Sequence, residues 1–424
     1  MQLFKFAPLV AGITLLASVS AQAATELKVW CWDENFNIPA VKLAAKTYQK
    51  NHPDVTVSIE NIEKGNILQK VNEALASDDS NALKTLLPDI LLIEDYSSRN
   101  YVVNHPGFLK DLSGYIDKNQ FVDYKVAISS DGDKIYGVPF DSGVAALFIR
   151  MDIFEEAGYT FEDFKDLTWE KFINMGRKVR AVTSLPLLPF DPNDLQEVRV
   201  MLQSAGSWYT DPKDPSKLNI ANNEVLKESF QHLRRMNYSG LLLPYTGWNP
   251  LLKTFKRGKV AAVLSSCWLS PSIEGTLHQY GNWRIVPIPK LKHPNATIYS
   301  NQGGSQWFVN NHSDKADEAA KFLSETFGKD RYFINQLISK IGLISTMKNI
   351  STLPNYQKPN RFYKKQLVYM HFTEWNELIP AVDYGTHTHI IEQSIQKALY
   401  KYLNGADLNT VLMEAQQEAA INMQ

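Results

Sequence analysis

Hydrophobic positions follow two different spacings along the chain. Short segments with alternating or continuous apolar residues predict strands, and they cover 26–32, 55–59, 88–93, 144–149, 260–264 and 285–289. Between them, apolar residues recur three and four positions apart, which predicts helices over 39–51, 66–76, 389–403 and 407–420. Thr168 and Asp314 are predicted to cap two more helices, and the Pro- and Asp-rich segment 210–220 is predicted to be a loop. Strands that alternate with helices indicate an α/β protein.

The N-terminus has the parts of a secretory signal peptide. Lys5 precedes an apolar or small-residue stretch over 6–19, and Ala21-Gln22-Ala23 forms an A-x-A cleavage site before Ala24. We therefore predict a signal peptide over residues 1–23. No cysteine stands at the end of this segment, and no second apolar run is long enough to cross a bilayer. These features predict a soluble periplasmic protein that is not lipid-anchored.

Size and charge limit the remaining possibilities. A chain of 424 residues is too long for one hydrophobic core, so we expect two domains. Its 44 basic and 45 acidic residues leave a formal net charge of −1, which gives no electrostatic reason to expect nucleic acid or anionic lipid as a partner. Cys31 and Cys267 could form a disulfide in an exported protein, but a domain of this size does not need one, and we expect both to be unbridged.

Motifs that would mark an enzyme are missing from the sequence. It contains no G-x-S-x-G elbow, no Walker loop and no H-E-x-x-H motif, and Gly303-Gly304-Ser305 is too short to cradle a phosphate. His387 and His389 are two positions apart, so on a helix they point away from each other and make a poor metal site. We therefore expect no metal site and no enzymatic activity. A periplasmic glycoside hydrolase is the enzymatic alternative, because spacing alone does not single out a catalytic carboxylate pair.

Aromatic residues stand beside polar residues where several predicted strands end. These segments are Trp30–Asp33, Glu94–Tyr96, Phe140–Gly143, Gly206–Tyr209, Thr246–Asn249 and Ser266–Trp268. Ligands of open α/β sheets bind beyond the carboxyl ends of the strands. A sugar suits this mixture, because its C–H face stacks on an aromatic ring while carboxylates, amides and backbone groups replace the hydrogen bonds its hydroxyls lose with water. The acidic and aromatic character of the segments favours a neutral sugar over a phosphate ligand.

Several segments occur in an order and spacing that identify a family. The most specific is Asp131–Gly143, which reads D-G-D-K-I-Y-G-V-P-F-D-S-G, and the others are 27–37, 88–96, 255–261 with Trp268, 283–289 and 300–305. In this order they resemble the family 1 extracellular solute-binding proteins of ABC importers, which include maltose-binding protein. The similarity runs over nearly all of residues 26–420 and is closest to the branch that binds sugars such as lactose.

This resemblance implies a fold and a role. The fold is the type II-like periplasmic binding protein fold, with two α/β lobes, three crossings between them and the ligand cleft between the lobes. The first lobe is expected to comprise 24–141 and 302–347, and the second 142–301 and 348–424. The expected role is a monomer that captures a sugar, without catalysis and without a cofactor, and delivers it to the inner-membrane permease subunits of an ABC transporter. A non-sugar solute, such as a phosphodiester, polyamine, iron or peptide, stays open as an alternative.

The resemblance also implies which residues contact the ligand. Carried over by position, they are Trp32, Asp33, Asn35, Asp95, Asp141, Ser142, Gly143, Asp194, Trp248, Trp268, Gly304 and Tyr384. Trp248 and Trp268 are the expected stacking surfaces, and Gly304 is expected to let the ligand approach the backbone.

Overall fold

The computed structural model describes residues 25–423, so the predicted signal peptide over 1–23 lies outside the described residues. The strands are β1 (Thr25–Cys31), β2 (Val55–Asn61), β3 (Ile90–Glu94), β4 (Ser130–Asp131), β5 (Lys134–Ile135), β6 (Gly137–Arg150), β7 (Leu188–Phe190), β8 (Thr210–Asp211), β9 (Asp214–Leu218), β10 (Leu242–Pro244), β11 (Ala262–Ser266), β12 (Trp283–Val286) and β13 (Asn301–Val309). The helices are α1 (Asn37–Tyr48), α2 (Lys64–Leu75), α3 (Ala82–Thr85), α4 (Asp95–Val103), α5 (Asp123–Ser129), α6 (Met151–Glu156), α7 (Trp169–Thr183), α8 (Gln196–Ser204), α9 (Glu224–Tyr238), α10 (Trp248–Lys256), α11 (Ser270–Glu274), α12 (Ala316–Leu323), α13 (Arg331–Ile341), α14 (Val368–Asn376), α15 (Thr388–Leu403) and α16 (Leu408–Asn422).

Hydrophobic spacing predicted six of these strands and four of these helices. Each predicted strand overlaps an observed one, and the predicted helices correspond to α1, α2, α15 and α16. The cap at Thr168 is confirmed, because its Oγ1 accepts the N–H of Lys171 at 3.2 Å where α7 begins. The prediction that Asp314 caps a helix was wrong, because its carboxylate pairs with Lys84 at 2.7 Å and α12 begins without a side-chain cap.

The loop predicted for 210–220 was also wrong, because β8 and β9 pair there as a short antiparallel hairpin. The side chain of Asp211 accepts the N–H of Lys213 at 2.8 Å, within the turn. The side chain of Asp211 therefore closes a tight turn between two strands, and the segment is a hairpin.

One seven-stranded sheet connects the two halves of the molecule. Its order is β11-β6-β13-β3-β1-β2, with β12 also paired to β6. β1 runs parallel to β2 and β3, whereas β13 runs antiparallel to β3 and β6. Ile90–Ile93 of β3 is fully buried, as expected for a strand covered on both faces.

The long strand β6 carries the chain from one lobe to the other. Its first part, Gly137–Val144, pairs with β13, and its second part, Ala145–Arg150, pairs with β11 and β12. The chain returns through β13 and passes β6 again near Ser345, which forms a β-bridge with Asp141. Three chain segments therefore lie side by side at the junction of the lobes.

Helices pack around each half of this sheet. In the first lobe, α1 and α2 contact β1–β3, and α12 and α13 contact β13 and α1, respectively. In the second lobe, α6–α9 and α14–α16 pack with one another and with β6, β12 and β13. Within residues 25–423, no helix combines the length and the apolar character that a membrane span requires.

Candidate functional site

A cleft between the lobes contains two adjoining cavities of about 460 and 410 Å³. Both are lined by Lys64, Glu94, Trp248, Trp268 and Gly303. The larger one also reaches the loop after β1 and the junction of the lobes, and the smaller one reaches the loops before α8 and α10. The combined space falls in the size range of small-molecule sites.

The loop after β1 forms part of the first-lobe wall. Trp32, Asp33 and Asn35 all line the larger cavity. Asp33 has a left-handed backbone with a φ of 67°, and its carboxylate accepts the N–H of Asn35 at 2.8 Å. Its carbonyl also accepts the N–H of Ile38 at 3.3 Å. These bonds tie the loop to the start of α1 and hold the polar side chains at the cleft.

An ion pair stands beside this loop. The ammonium of Lys64, at the start of α2, donates to Glu94 Oε1 at 2.8 Å, where β3 ends. Burial raises the pKa of Glu94, but the charge of Lys64 outweighs burial, and the net shift of this pKa is downward. Glu94 is therefore an ionised carboxylate at neutral pH.

Two tryptophans provide an apolar surface on the second-lobe side. The ring centroids of Trp248 and Trp268 lie 5.8 Å apart, at an angle of 49°. Trp268 Nε1 donates to the carbonyl of Gln302 at 3.2 Å, which holds that ring against the returning crossing. Trp248 begins α10 directly after Gly247, whose φ of 81° favours glycine. Trp248 itself is 48% exposed. The pair offers an angled aromatic surface of the kind that binds sugar rings.

A second polar cluster is centred on Arg199 of α8 and includes Asp194 from the loop before that helix. Arg199 Nη1 donates to Asp194 at 2.7 Å, and its Nε and Nη2 donate to the two oxygens of Glu392 at 2.6 and 2.7 Å. The same guanidinium lies 5.1 Å from the ring centroid of Tyr96, which belongs to the first lobe. Arg199 thus fixes a cleft carboxylate and contacts the opposite lobe.

The floor of the cleft is formed by the crossings. Asp141 lines the larger cavity and accepts the N–H of Ser305 at 2.8 Å, and burial raises the pKa of this carboxyl. Gly304 has a φ of 97°, and a Cβ there would lie 2.9 Å from a carboxylate oxygen of Asp95. Only glycine lets this strand pass so close to the buried charges beneath it.

Asp95 lies under this floor and not on the cleft surface. It is fully buried, with Lys125 Nζ 2.7 and 2.6 Å from its two oxygens. Burial raises the pKa of Asp95 to about 6, although Lys125 opposes that shift. We expected Asp95 to face the ligand, but it begins α4 and its side chain is buried in the interior. The neighbouring Glu94 lines the cleft instead.

Ser142, Gly143 and Tyr384 are likewise buried away from the cavities. Ser142 Oγ donates to Asn376 at 2.6 Å, the N–H of Gly143 donates to Asn301 at 3.0 Å, and the hydroxyl of Tyr384 donates to Gln203 at 2.6 Å. Their partners come from distant parts of the chain, so each joins segments at the lobe junction. The remaining predicted residues line one or both cavities, namely Trp32, Asp33, Asn35, Asp141, Asp194, Trp248, Trp268 and Gly304.

Sequence reasoning missed several residues of the cleft. They are Lys64, Glu94, Tyr96, Asp191, Arg199, Tyr245, Gln302, Gly303 and His389. Glu94 and Tyr96 stood in a segment that the sequence singled out, but the resemblance assigned the ligand contact to Asp95, which lies between them. Nothing in the local sequence marked Lys64 and Arg199 as cleft residues, because charged residues on helices are common over the whole surface of a protein.

The histidines and cysteines have other surroundings. His389 lies 2.7 Å from Ser97 across the lobe junction, and His387 lies 2.8 Å from the hydroxyl of Thr386. Among residues 25–423, His, Cys, Asp and Glu do not gather in any group of three that could hold a metal ion. Cys31 and Cys267 are both free, buried thiols, and burial raises the pKa of each to about 12.

Sequence relatives share most of the chain. A lactose-binding protein of Rhizobium radiobacter is 36% identical over 410 residues, covering 97% of this chain and 96% of that protein. An arabinooligosaccharide-binding protein of Bacillus subtilis (strain 168) is 25% identical over 333 residues, covering 76% and 73%.

Solved structures share the fold. The sugar-binding protein MalE from Xanthomonas citri superposes with a TM-score of 0.77 at 17% identity, covering 94% of this chain and 97% of that chain. A binding protein from B. animalis subsp. lactis in complex with β-1,6-galactobiose superposes with a TM-score of 0.72 at 20% identity, covering 94% and 97%. These likenesses confirm the two-lobed α/β architecture.

The profile of a protein family covers the larger part of the chain. It carries the description "Bacterial extracellular solute-binding protein" and matches residues 34–328. With the extensive similarity to the R. radiobacter protein, this match shows that the chain belongs to the bacterial extracellular solute-binding proteins.

Proposed function

We propose that this protein is the periplasmic sugar receptor of an ABC importer. The observation that carries the proposal is the angled pair of Trp248 and Trp268, which shares a cleft with the polar groups of the opposite lobe. Aromatic faces pack against the C–H faces of sugar rings, and carboxylates and amides satisfy the hydroxyls. Relatives named for lactose and arabinooligosaccharide binding support the same ligand class.

The proposed ligand contacts are the residues that line the cleft. They comprise Trp32, Asp33, Asn35, Asp141, Asp194, Trp248, Trp268 and Gly304, together with Glu94 and Asp191. Asp95, Ser142, Gly143 and Tyr384 are proposed to support the junction beneath the ligand. Two adjoining cavities of about 460 and 410 Å³ favour a disaccharide or longer oligosaccharide over a single sugar ring.

Binding is proposed to close the cleft. A sugar held by both walls binds the closed form better than the open form and shifts the population towards it. The crossings near 141/142, 301/302 and 347/348 are the proposed hinge and the proposed lobe boundaries. Three adjacent segments in this region, around Asp141, Gly304 and Ser345, support that assignment.

The remaining parts of the proposal concern place and partners. The A-x-A sequence before Ala24 supports export, and the family supports delivery to the permease of an ABC transporter. We propose that the mature protein acts as a monomer without a lipid anchor. The ligand is proposed to leave the protein chemically unchanged.

A binding screen with matched variants tests the proposal. Neutral mono- and disaccharides, including lactose, are added to the mature protein, and binding raises the melting temperature by mass action. For the sugar that binds, isothermal titration should show that Trp248→Ala loses about 1 to 3 kcal/mol of binding free energy, the range for an aromatic hot spot. Tyr280→Ala is the control, since Tyr280 is 55% exposed, close to the 48% of Trp248, and does not line the cleft.

The outcomes separate clearly. Equal affinities of the Trp248→Ala variant and the unmodified protein would refute the assigned cleft. A screen in which no sugar raises the melting temperature would refute the ligand class. Mass spectrometry of the bound oligosaccharide after prolonged incubation tests the hydrolase alternative, since recovery of shortened sugars would establish catalysis.

A further inference from the structure

The basic side chains in the cleft are already paired with acids of the protein. Lys64 donates to Glu94 at 2.8 Å, and Arg199 binds both Asp194 and Glu392. Arg199 is also held against the ring of Tyr96. Apart from His389, which bonds to Ser97, these are the basic groups that line the two cavities among the described residues. Neither Lys64 nor Arg199 offers an unpaired positive charge to a ligand.

Two cleft carboxylates have the opposite status. Asp33 accepts the N–H of Asn35 at 2.8 Å, and Asp191 accepts the N–H groups of Asn193 at 2.9 Å and Gly247 at 3.2 Å. Within residues 25–423, neither carboxylate forms an ion pair with a basic side chain. Backbone amides hold both groups in place, so a ligand meets negative charge at both ends of the cleft.

The aromatic surface has the same preference. The face of an indole ring is electronegative and attracts cations or C–H groups more than anions. Trp248 lies next to Gly247, whose N–H donates to Asp191, so an aromatic face and an unpaired carboxylate occur together at one end of the cleft.

From this charge arrangement we propose that the cleft selects uncharged or amino-bearing saccharides and rejects anionic ones, with Asp191 and Asp33 as the specificity-determining residues. The inference rests on the proposed sugar-binding function and narrows its ligand class. A sulfate, phosphate or uronate group would lose its hydration shell on binding without gaining a free base, and it would face like charge. A protonated amine would gain a carboxylate and an aromatic face.

Matched ligands test the selection directly. We compare galactose with galacturonate, and lactose with a sulfated lactose and with the free-amine form of lactosamine, by isothermal titration. The anionic member of each set should bind at least about tenfold more weakly than its neutral counterpart, and the amine should bind as well as lactose or better. Equal or tighter binding of the anionic sugars would overturn the inference while leaving the sugar receptor intact. If no sugar of either kind binds, the proposed function fails and this inference fails with it.

Salt and a conservative variant give independent readouts. Raising the salt from about 0.1 M to about 1 M shortens the Debye length from about 10 Å to about 3 Å, so discrimination against the anionic sugars should shrink. Asp191→Asn keeps the side-chain shape and should reduce the ratio of neutral to anionic affinity several-fold. Asp314→Asn makes the same change in net charge on a side chain that is 75% exposed and outside the cleft, and should leave the ratio unchanged. If neither added salt nor Asp191→Asn changes the ratio of neutral to anionic affinity, the charge mechanism is refuted.

Discussion

Replacing Gly143 with alanine tests the close contact between the crossings. Gly143 lies in β6 at the lobe junction, fully enclosed, and its N–H donates to Asn301 Oδ1 at 3.0 Å. A Cβ at this position would lie 2.3 Å from the carbonyl oxygen of Gln302, 2.6 Å from its carbonyl carbon and 2.7 Å from Asn301 Oδ1. Two of these atoms belong to the backbone of β13, so no side-chain rotation relieves the overlap.

The magnitude follows from these distances. Ordinary contacts between heavy atoms begin near 3.5 Å, so β6 and β13 must separate by about 1 Å to accept the methyl group. Overpacking of this kind costs about 1 to 3 kcal/mol, and weakening the bond to Asn301 adds about 1 kcal/mol. We therefore expect Gly143→Ala to lower the free energy of unfolding by about 2 to 4 kcal/mol.

Urea denaturation followed by circular dichroism measures this change. Gly114→Ala is the matched control, because a Cβ at Gly114 meets no atom within 4 Å and its φ lies outside the left-handed region. The control should change the free energy of unfolding by less than about 1 kcal/mol. A Gly143→Ala variant as stable as the control would show that the two crossings are not in tight contact, and the argument from packing would be wrong.

Three further changes probe buried charge and helix capping. Glu197 is only 4% exposed, and burial, with Asp194 and Asp191 nearby, raises its pKa from 4.5 to about 8. Between these two pKa values the native state keeps this proton, whereas the unfolded chain has lost it. The free energy of unfolding therefore falls by up to about 1.4 kcal/mol per pH unit as the pH rises from 4.5 towards 8. Glu197→Gln should remove that slope in urea titrations at several pH values, and an unchanged slope would refute the pKa shift. Lys125→Met leaves the fully buried Asp95 unpaired and should cost about 3 to 5 kcal/mol at neutral pH, with a smaller loss at pH values low enough to protonate Asp95, so a stable variant would contradict the ion pair. Thr168→Ala should cost about 1 kcal/mol by removing the cap of α7, whereas Thr168→Ser keeps the acceptor and should cost little; equal losses in thermal unfolding would argue against the cap.

Local pattern alone predicted much of this protein. The alternation and helical spacing of apolar residues identified strands and helices, because a side chain's choice between core and solvent repeats with the period of its own element. The loop that carries Trp32 and Asp33 and the strand end that carries Trp268 were also predicted, because ligands bind beyond the carboxyl ends of strands and these ends follow from the strand pattern. Chain length predicted two domains, and the family resemblance added the order of these segments and a ligand cleft between the lobes.

Only the tertiary structure decided which polar groups face the cleft. Glu94 and Asp95 are adjacent acids, yet Glu94 pairs with Lys64 at the cleft while Asp95 pairs with Lys125 in the interior. Arg199 and Glu392 meet although 193 residues separate them, and Tyr384 is buried by contacts with Trp208 and Tyr96. The cost of burying a charge depends on partners brought from distant parts of the chain, and local spacing carries no information about those partners.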